Sequence, residues 1–292
     1  MLNDNFKNQL HLHFIVFIWG FTAVLGALIS LDALPLVFTR IGIAIAVISL
    51  YIIITKKNIF ISNKDIFRFI LFGFVIALHW LTFFHAIKIS NVSITLACIS
   101  TGAFFTSILE PIFYKRKFIA YEIILGCMVV CGLLLIFQFE THYKWGIVTA
   151  LISAFLSAVF SIINGKLASK HDSVIISFYE LIGGFLLLAG FVLYKEGFNS
   201  TYFSFNDTDL LYIAILGAVC TAYPFIGTIN IMKHLTPYTV MLTINLEPIY
   251  GILLAVLIFK DQEKMTPAFY FGAAIILLTV LLNAYFKKRK KH

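Results

Sequence analysis

KKNIFISNKDIFR, residues 56–68, is a polar break between two long apolar runs, and its charges sum to +3. About 140 positions later the break KEGFNSTYFSFNDTD, residues 195–209, stands between two equally long apolar runs and sums to −2. Around these breaks the chain is written twice. Gly73 meets Gly217 at an offset of 144, Lys88 meets Lys233 at 145, Gly126 meets Gly272 at 146, and Arg40 meets Glu180 at 140. The next basic break, Lys115-Arg116-Lys117, corresponds to Lys260, Asp261, Glu263 and Lys264, which carry no net charge. Basic loops stay on the cytoplasmic side, so two copies with opposite loop charge insert in opposite orientations. That is the pattern of an inverted repeat.

Composition agrees. The 292 residues are 61% hydrophobic and 12% charged, with a mean hydropathy of +0.96. A water-facing globular surface needs about twice that share of charge. The chain reads as an all-α integral membrane protein with ten spans near 10–30, 33–55, 66–87, 91–113, 118–138, 145–165, 173–194, 209–230, 236–259 and 266–286. Each is long enough to cross about 30 Å of hydrocarbon. Residues 1–140 form the first five-helix repeat and 141–292 the second, inverted one. With both termini cytoplasmic, 16 Lys and Arg fall on the inner side and five on the outer, which fixes the orientation in a cell (inner or plasma) membrane. The first span is expected to be retained, because no small-residue cleavage box follows it. The outer loop 195–208 carries Phe198, Tyr202, Phe203 and Phe205 and is expected to lie in the membrane interface.

The net charge of +8 does not point to nucleic acid, since five of the charges follow the last span as Lys287-Lys288-Arg289-Lys290-Lys291. A juxtamembrane cluster of that kind holds to anionic lipid. Cys98, Cys127, Cys131 and Cys220 all fall inside apolar runs and read as packing residues; no metal set and no cofactor motif accompanies them. There is no Walker-type phosphate loop, no His-Glu-x-x-His and no aspartate within a span, so ATP-driven pumping and intramembrane catalysis have no residues to run on.

Charge inside lipid is costly and marks function or a permanent partner. Arg40 sits about 10 Å below the outer face, Glu247 near the midplane, and Glu180 about 10 Å above the inner face, at 1.5 Å per residue. Arg40 and Glu247 either form a fixed ion pair or open to take a substrate carboxylate and an amine or proton. Glu180, the image of Arg40, is open to the same two readings. The register sets His79-Trp80 opposite Tyr223-Pro224, and Trp80 and Tyr223 are expected to wall a cavity. His79 is either a proton-coupling residue or a neutral histidine bonded to a neighbouring helix. Trp19 is a packing or gate residue. Asn245, two residues before Glu247, points to a different helix face and is a further candidate for the site. Glu110-Pro111 mimics Glu247-Pro248 but is out of register at 137, and Glu110 is expected to pair with Lys115 or Arg116 at the membrane surface.

Trp19-Gly20, the run 151–160 leading to Lys166, Leu246-Glu247-Pro248, the turn Phe259-Lys260-Asp261-Gln262-Glu263 and Gly272 together resemble the drug/metabolite transporter superfamily, in its ten-helix EamA-type branch. The likeness spans nearly the whole chain. It implies a secondary transporter, by habit an exporter, of amino acids or other small metabolites, working by alternating access around a midplane cavity. Protons are the coupling ion it allows, and a homodimer is compatible with it. A multidrug or cationic-compound efflux carrier is the alternative within the class, and a non-transporting membrane receptor or assembly protein the alternative outside it. The first copy departs from the family by showing Thr101-Gly102 where a proline is usual, which predicts that helix 4 bends differently from helix 9.

Overall fold

The computed structural model describes residues 4–195, 197–199 and 203–289. Glu196, Tyr202, Lys290 and Lys291 lie outside the described residues, as do the side chains of Lys287, Lys288 and Arg289. The chain is helical throughout the described residues: α1 (Asp4–Leu28), α2 (Ala33–Thr55), α3 (Asn63–Ile89), α4 (Val92–Ile99), α5 (Gly102–Tyr114), α6 (Ala120–Phe139), α7 (Lys144–Ala168), α8 (Ser173–Lys195), α9 (Asp207–Gly217), α10 (Tyr223–Ile231), α11 (Pro237–Ile244), α12 (Glu247–Phe259) and α13 (Pro267–Arg289). Among the described residues nine segments are long and apolar enough to cross a bilayer, and α13 completes the set of ten. Two five-helix repeats of opposite orientation make up this multi-pass membrane protein. The face carrying the loops at 56–62, 115–119 and 169–172 is here called the basic face and the opposite one the far face.

Three of the ten spans are not continuous helices. The fourth is split into α4 and α5, and the ninth into α11 and α12. Every boundary of the second pair lies 145 residues after its counterpart in the first. Gly102 is therefore the image of Glu247, whereas the sequence offset of 146 at Gly126/Gly272 sets it opposite Pro248. Both spans break at the same place, although only the second has a proline at the break, Pro248. The reason is tertiary. The two spans cross, with α5 packed on α11 and α12 on α4. Their breaks meet through Ala103, Leu242 and Leu246.

Each first half is held by caps. Asn91 and Thr236, again 145 apart, accept from the backbone N–H three residues on, at 2.9 and 3.3 Å. A carboxylate from the other repeat then takes the remaining donors. Glu263 accepts from the N–H groups of Val92 and Ser93, both at 2.9 Å, and Glu110 accepts from that of Tyr238 at 2.7 Å. These donors have no partner within their own helix, and the positive helix start favours an anion. Glu110 also receives Arg116 Nε at 3.1 Å, as expected of it, and Arg116 Nη2 reaches Glu122 at 3.1 Å.

The eighth span contains a π turn, Ala218–Ala222, between α9 and α10. Such a turn holds one residue more than an α turn. The repeat offset changes across it, from 144 at Gly73/Gly217 to 145 at Lys88/Lys233. The extra residue is the insertion that shifts the two copies out of step.

Glycine permits two close crossings. The carbonyl of Gly272 stands 2.7 Å from where a Cβ on Gly132 would be, and the carbonyl of Gly132 stands 2.6 Å from that of Gly272, locking α6 to α13. A Cβ on Gly73 would run into the Glu180 carbonyl, so α3 and α8 touch backbone to backbone. Cys98 and Cys220 are buried, whereas Cys127 and Cys131 turn outward from the bundle and do not pack inside it. Phe198 and Phe203 of the far-face loop close over Phe38 of α2, with ring centroids at 5.6 and 5.7 Å.

Candidate functional site

A cavity of about 90 Å³ lies among α1, α2, α3, α4, α7, α10, α11 and α12. Five of the eight residues singled out from the sequence line it: Trp19, Arg40, His79, Trp80 and Glu247. Arg40 is 1% exposed. Its Nε and Nη2 donate to Thr221 Oγ1 at 3.0 and 2.7 Å, and its Cζ lies 4.4 Å from the Trp80 ring centroid and 5.1 Å from that of Phe84. Desolvated contacts of a guanidinium with aromatic faces contribute about 2 kcal/mol. Arg40 Nη1 has no hydrogen-bond partner.

Glu247 occupies the first turn of α12, where the positive end of the helix favours a carboxylate. No ion pair within 4.0 Å joins it to Arg40 among the described residues, so the fixed pair is not present. Arg40 is held instead by a neutral hydroxyl and two rings. The cavity thus has a base on α2 and an acid on α12 that are not consumed by each other. Ser161 Oγ and Thr228 Oγ1, also on its wall, have no hydrogen-bond partner.

His79 is bonded to α7. Its Nδ1 lies 2.9 Å from the Ser153 carbonyl and 2.8 Å from Ser153 Oγ, and that hydroxyl donates to the His79 carbonyl at 2.9 Å. A carbonyl can only accept, so Nδ1 carries the proton in the neutral ring and Nε2 is left as an acceptor. The histidine bonded to its neighbour, one of the two readings, describes its Nδ1 side.

Three candidates lie elsewhere. Tyr223 is 43% exposed and bonds His11 Nε2 at 2.8 Å on the outside of the bundle. The extra residue of the π turn rotates it off the wall. Phe225, at the corrected offset of 145 from Trp80, takes its place, with centroids 5.5 Å apart. Phe160 stacks on Phe225 at 5.4 Å. Glu180 is fully buried between α7 and α8, accepting from Asn164 Nδ2 at 3.1 and 3.2 Å. It does not line the cavity. Asn245 ends α11 at the break, 1% exposed, with both polar side-chain atoms unpartnered and away from the cavity wall.

The residues missed were legible in part. Ser153, Ser157, Ser161 and Asn164 recur at three- and four-residue spacing in an apolar helix, a polar stripe that must face the bundle interior. Ser157 and Ser161 line the cavity. Thr221 carried no such mark, because its orientation depends on the π turn.

Residues 10–138 and 144–285 each match the EamA-like transporter family. The chain belongs to that family. The family is one of transporters within the drug/metabolite transporter superfamily, and a membrane transporter implies a small-molecule substrate and a lipid surround. A crystal structure of a protein is similar over 94% of this EamA-like chain and 95% of its own, with a TM-score of 0.70 at 14% identity. That likeness speaks for the fold alone. No curated protein matches the chain.

Proposed function

We propose that this EamA-like protein is a secondary active transporter that exports a small metabolite such as an amino acid, by alternating access of its two repeats around the cavity. One observation carries the reading: a buried base and a buried acid, Arg40 and Glu247, share a cavity without pairing. A zwitterion satisfies both at once, its carboxylate on Arg40 and its amine on Glu247. The rings of Trp80, Phe160 and Phe225 accept an apolar side chain, and Trp19 stands at the wall as packing or gate. Because the two charges do not neutralise each other, a ligand with complementary charge at both ends pairs with each of them.

The same features weigh against the efflux of cations. Arg40, on the wall of the cavity, repels a cation placed there. Glu247 and His79 Nε2 are the groups available for proton coupling. Glu180 and Asn245 act on this reading from outside the cavity, through helix packing and at the break of the ninth span. No reaction chemistry is assigned to the chain. The loop charges support cytoplasmic termini in an inner or plasma membrane.

Counterflow in proteoliposomes tests the proposal, with a panel of amino acids and nucleobases against wild type and Glu247→Gln. Saturable exchange by wild type is expected. In Glu247→Gln, accumulation driven by a pH gradient is expected to be lost. Absence of saturable flux across the whole panel overturns the reading.

A further inference from the structure

The π turn in the eighth span is more than an insertion in the repeat. It carries Thr221, whose hydroxyl has a fixed polarity and is aimed at Arg40. Thr221 Oγ1 donates to the carbonyl of Leu216, five residues back, at 2.6 Å. A hydroxyl has one proton, so both lone pairs of this oxygen remain for acceptance, and both contacts come from Arg40, Nε at 3.0 Å and Nη2 at 2.7 Å. Trp80 and Phe84 cover the guanidinium at 4.4 and 5.1 Å. The Nε–Nη2 edge of Arg40 is therefore closed, the guanidinium plane is covered, and among the described residues Nη1 remains without a partner.

Guanidinium groups bind carboxylates through a planar fork, along either the Nε–Nη2 edge or the Nη1–Nη2 end. The protein has closed one of the two. We infer that Thr221 is a positioning residue: it fixes which end of Arg40 meets the substrate, and the π turn is the device that brings it there. The inference rests on the reading of Arg40 as the carboxylate-binding residue. It concerns selectivity for the carboxylate and adds no contact between Thr221 and the substrate. An α-helical eighth span would still spend the hydroxyl proton, on the carbonyl four residues back as at Thr82 and Thr106, but with one residue fewer Thr221 would face about 100° away from Arg40, and a flexible arginine would accept either approach.

The test uses the full-length protein in proteoliposomes, with the twenty common L-amino acids and their carboxamides as probes. The carboxamides keep shape and amine but lose the charge that Arg40 reads. In Thr221→Val, which keeps the shape and removes the hydroxyl, half-saturation for the transported amino acids is expected to rise about tenfold. The maximal rate should stay within threefold. The preference for acid over amide should fall by a similar factor of ten, and Thr221→Ser should restore both quantities to within threefold. A merely structural role predicts equal loss for acids and amides, and that result overturns the inference, as does a valine variant with wild-type half-saturation. Arg40→Ala in the same assay separates the two layers. If it leaves amino-acid flux unchanged, the reading of the site itself falls and the role of Thr221 falls with it. If it abolishes flux while Thr221→Val changes nothing, only the positioning role is lost.

Discussion

The two broken spans, α4–α5 and α11–α12, have halves of the same lengths, 8 and 13 residues, and differ at almost every position that holds them. In the first, the three leading N–H groups of α4 go to Glu263, Glu263 and Asn91. In the second, Pro237 has no N–H to satisfy, and those of Tyr238 and Thr239 go to Glu110 and Thr236. At the break, the hydroxyls of Ser100 and Thr101 close back on the carbonyls of Leu96 and Cys98, while their images, Asn245 and Leu246, close on none. Both second halves are followed by a lysine with positive φ, Lys115 at 52° and Lys260 at 50°, but only Lys115 is in the left-handed helical region, since ψ is 39° at the first and −114° at the second. The same break is reached by different residues. The break follows from the crossing of the two spans and from capping by the opposite repeat. The difference that bears on the cavity is Glu247 on its wall, at the place where the first copy has Gly102.

Arg40 and its image give the largest expected difference. On the proposed reading, Arg40→Ala removes one partner of a desolvated carboxylate contact, for which truncation costs about 2–5 kcal/mol, so uptake of carboxylate substrates should be abolished in a flux assay. Glu180→Gln keeps a group that accepts from Asn164 and should leave flux within a factor of about two. Comparable loss in both would mean that the buried charges of the two repeats act as one unit.

The two carboxylate caps come next. Glu263→Ala strands two donors and Glu110→Ala one, and each buried unsatisfied donor costs about 1–3 kcal/mol. Thermal unfolding in detergent should therefore show the greater loss for Glu263→Ala, by about 1–3 kcal/mol. The reverse order would show that the Arg116 contacts of Glu110 outweigh its cap. A smaller effect is expected for Pro248→Ala. Proline in the first turn of a helix removes no intrahelical bond, and the break does not depend on it, so stability should change by less than about 1 kcal/mol and flux should persist.

The smallest effect lies at the basic face. Asp172 is partly buried, which pushes its carboxyl up, but Lys57 Nζ at 2.7 Å and the N–H of Val174 at 2.9 Å hold it below its ordinary value of 3.8. A carboxyl lowered in the folded state stabilises it above that value and loses the contribution as pH falls through the folded value. The pair is one-third exposed, so no more than about 1 kcal/mol is expected. Unfolding followed from pH 7 downward should show wild type and Asp172→Asn differing at pH 7 and converging progressively as the pH falls below 3.8.

Periodic apolar runs, loop charge and the 140–146 offset together gave the ten spans, their ends to within a few residues and the inversion, because lipid punishes every exposed polar group and so writes its demands into composition. The same rule flagged Arg40, Glu180 and Glu247, since a charge in an apolar run is visible wherever it points. Which charges share a cavity was not visible. That depended on one extra residue in the eighth span, which turned Tyr223 out and brought Phe225 to the wall and Thr221 to Arg40. A helix face turns about 100° with each residue, so a single π turn that composition does not register decides which side chains meet.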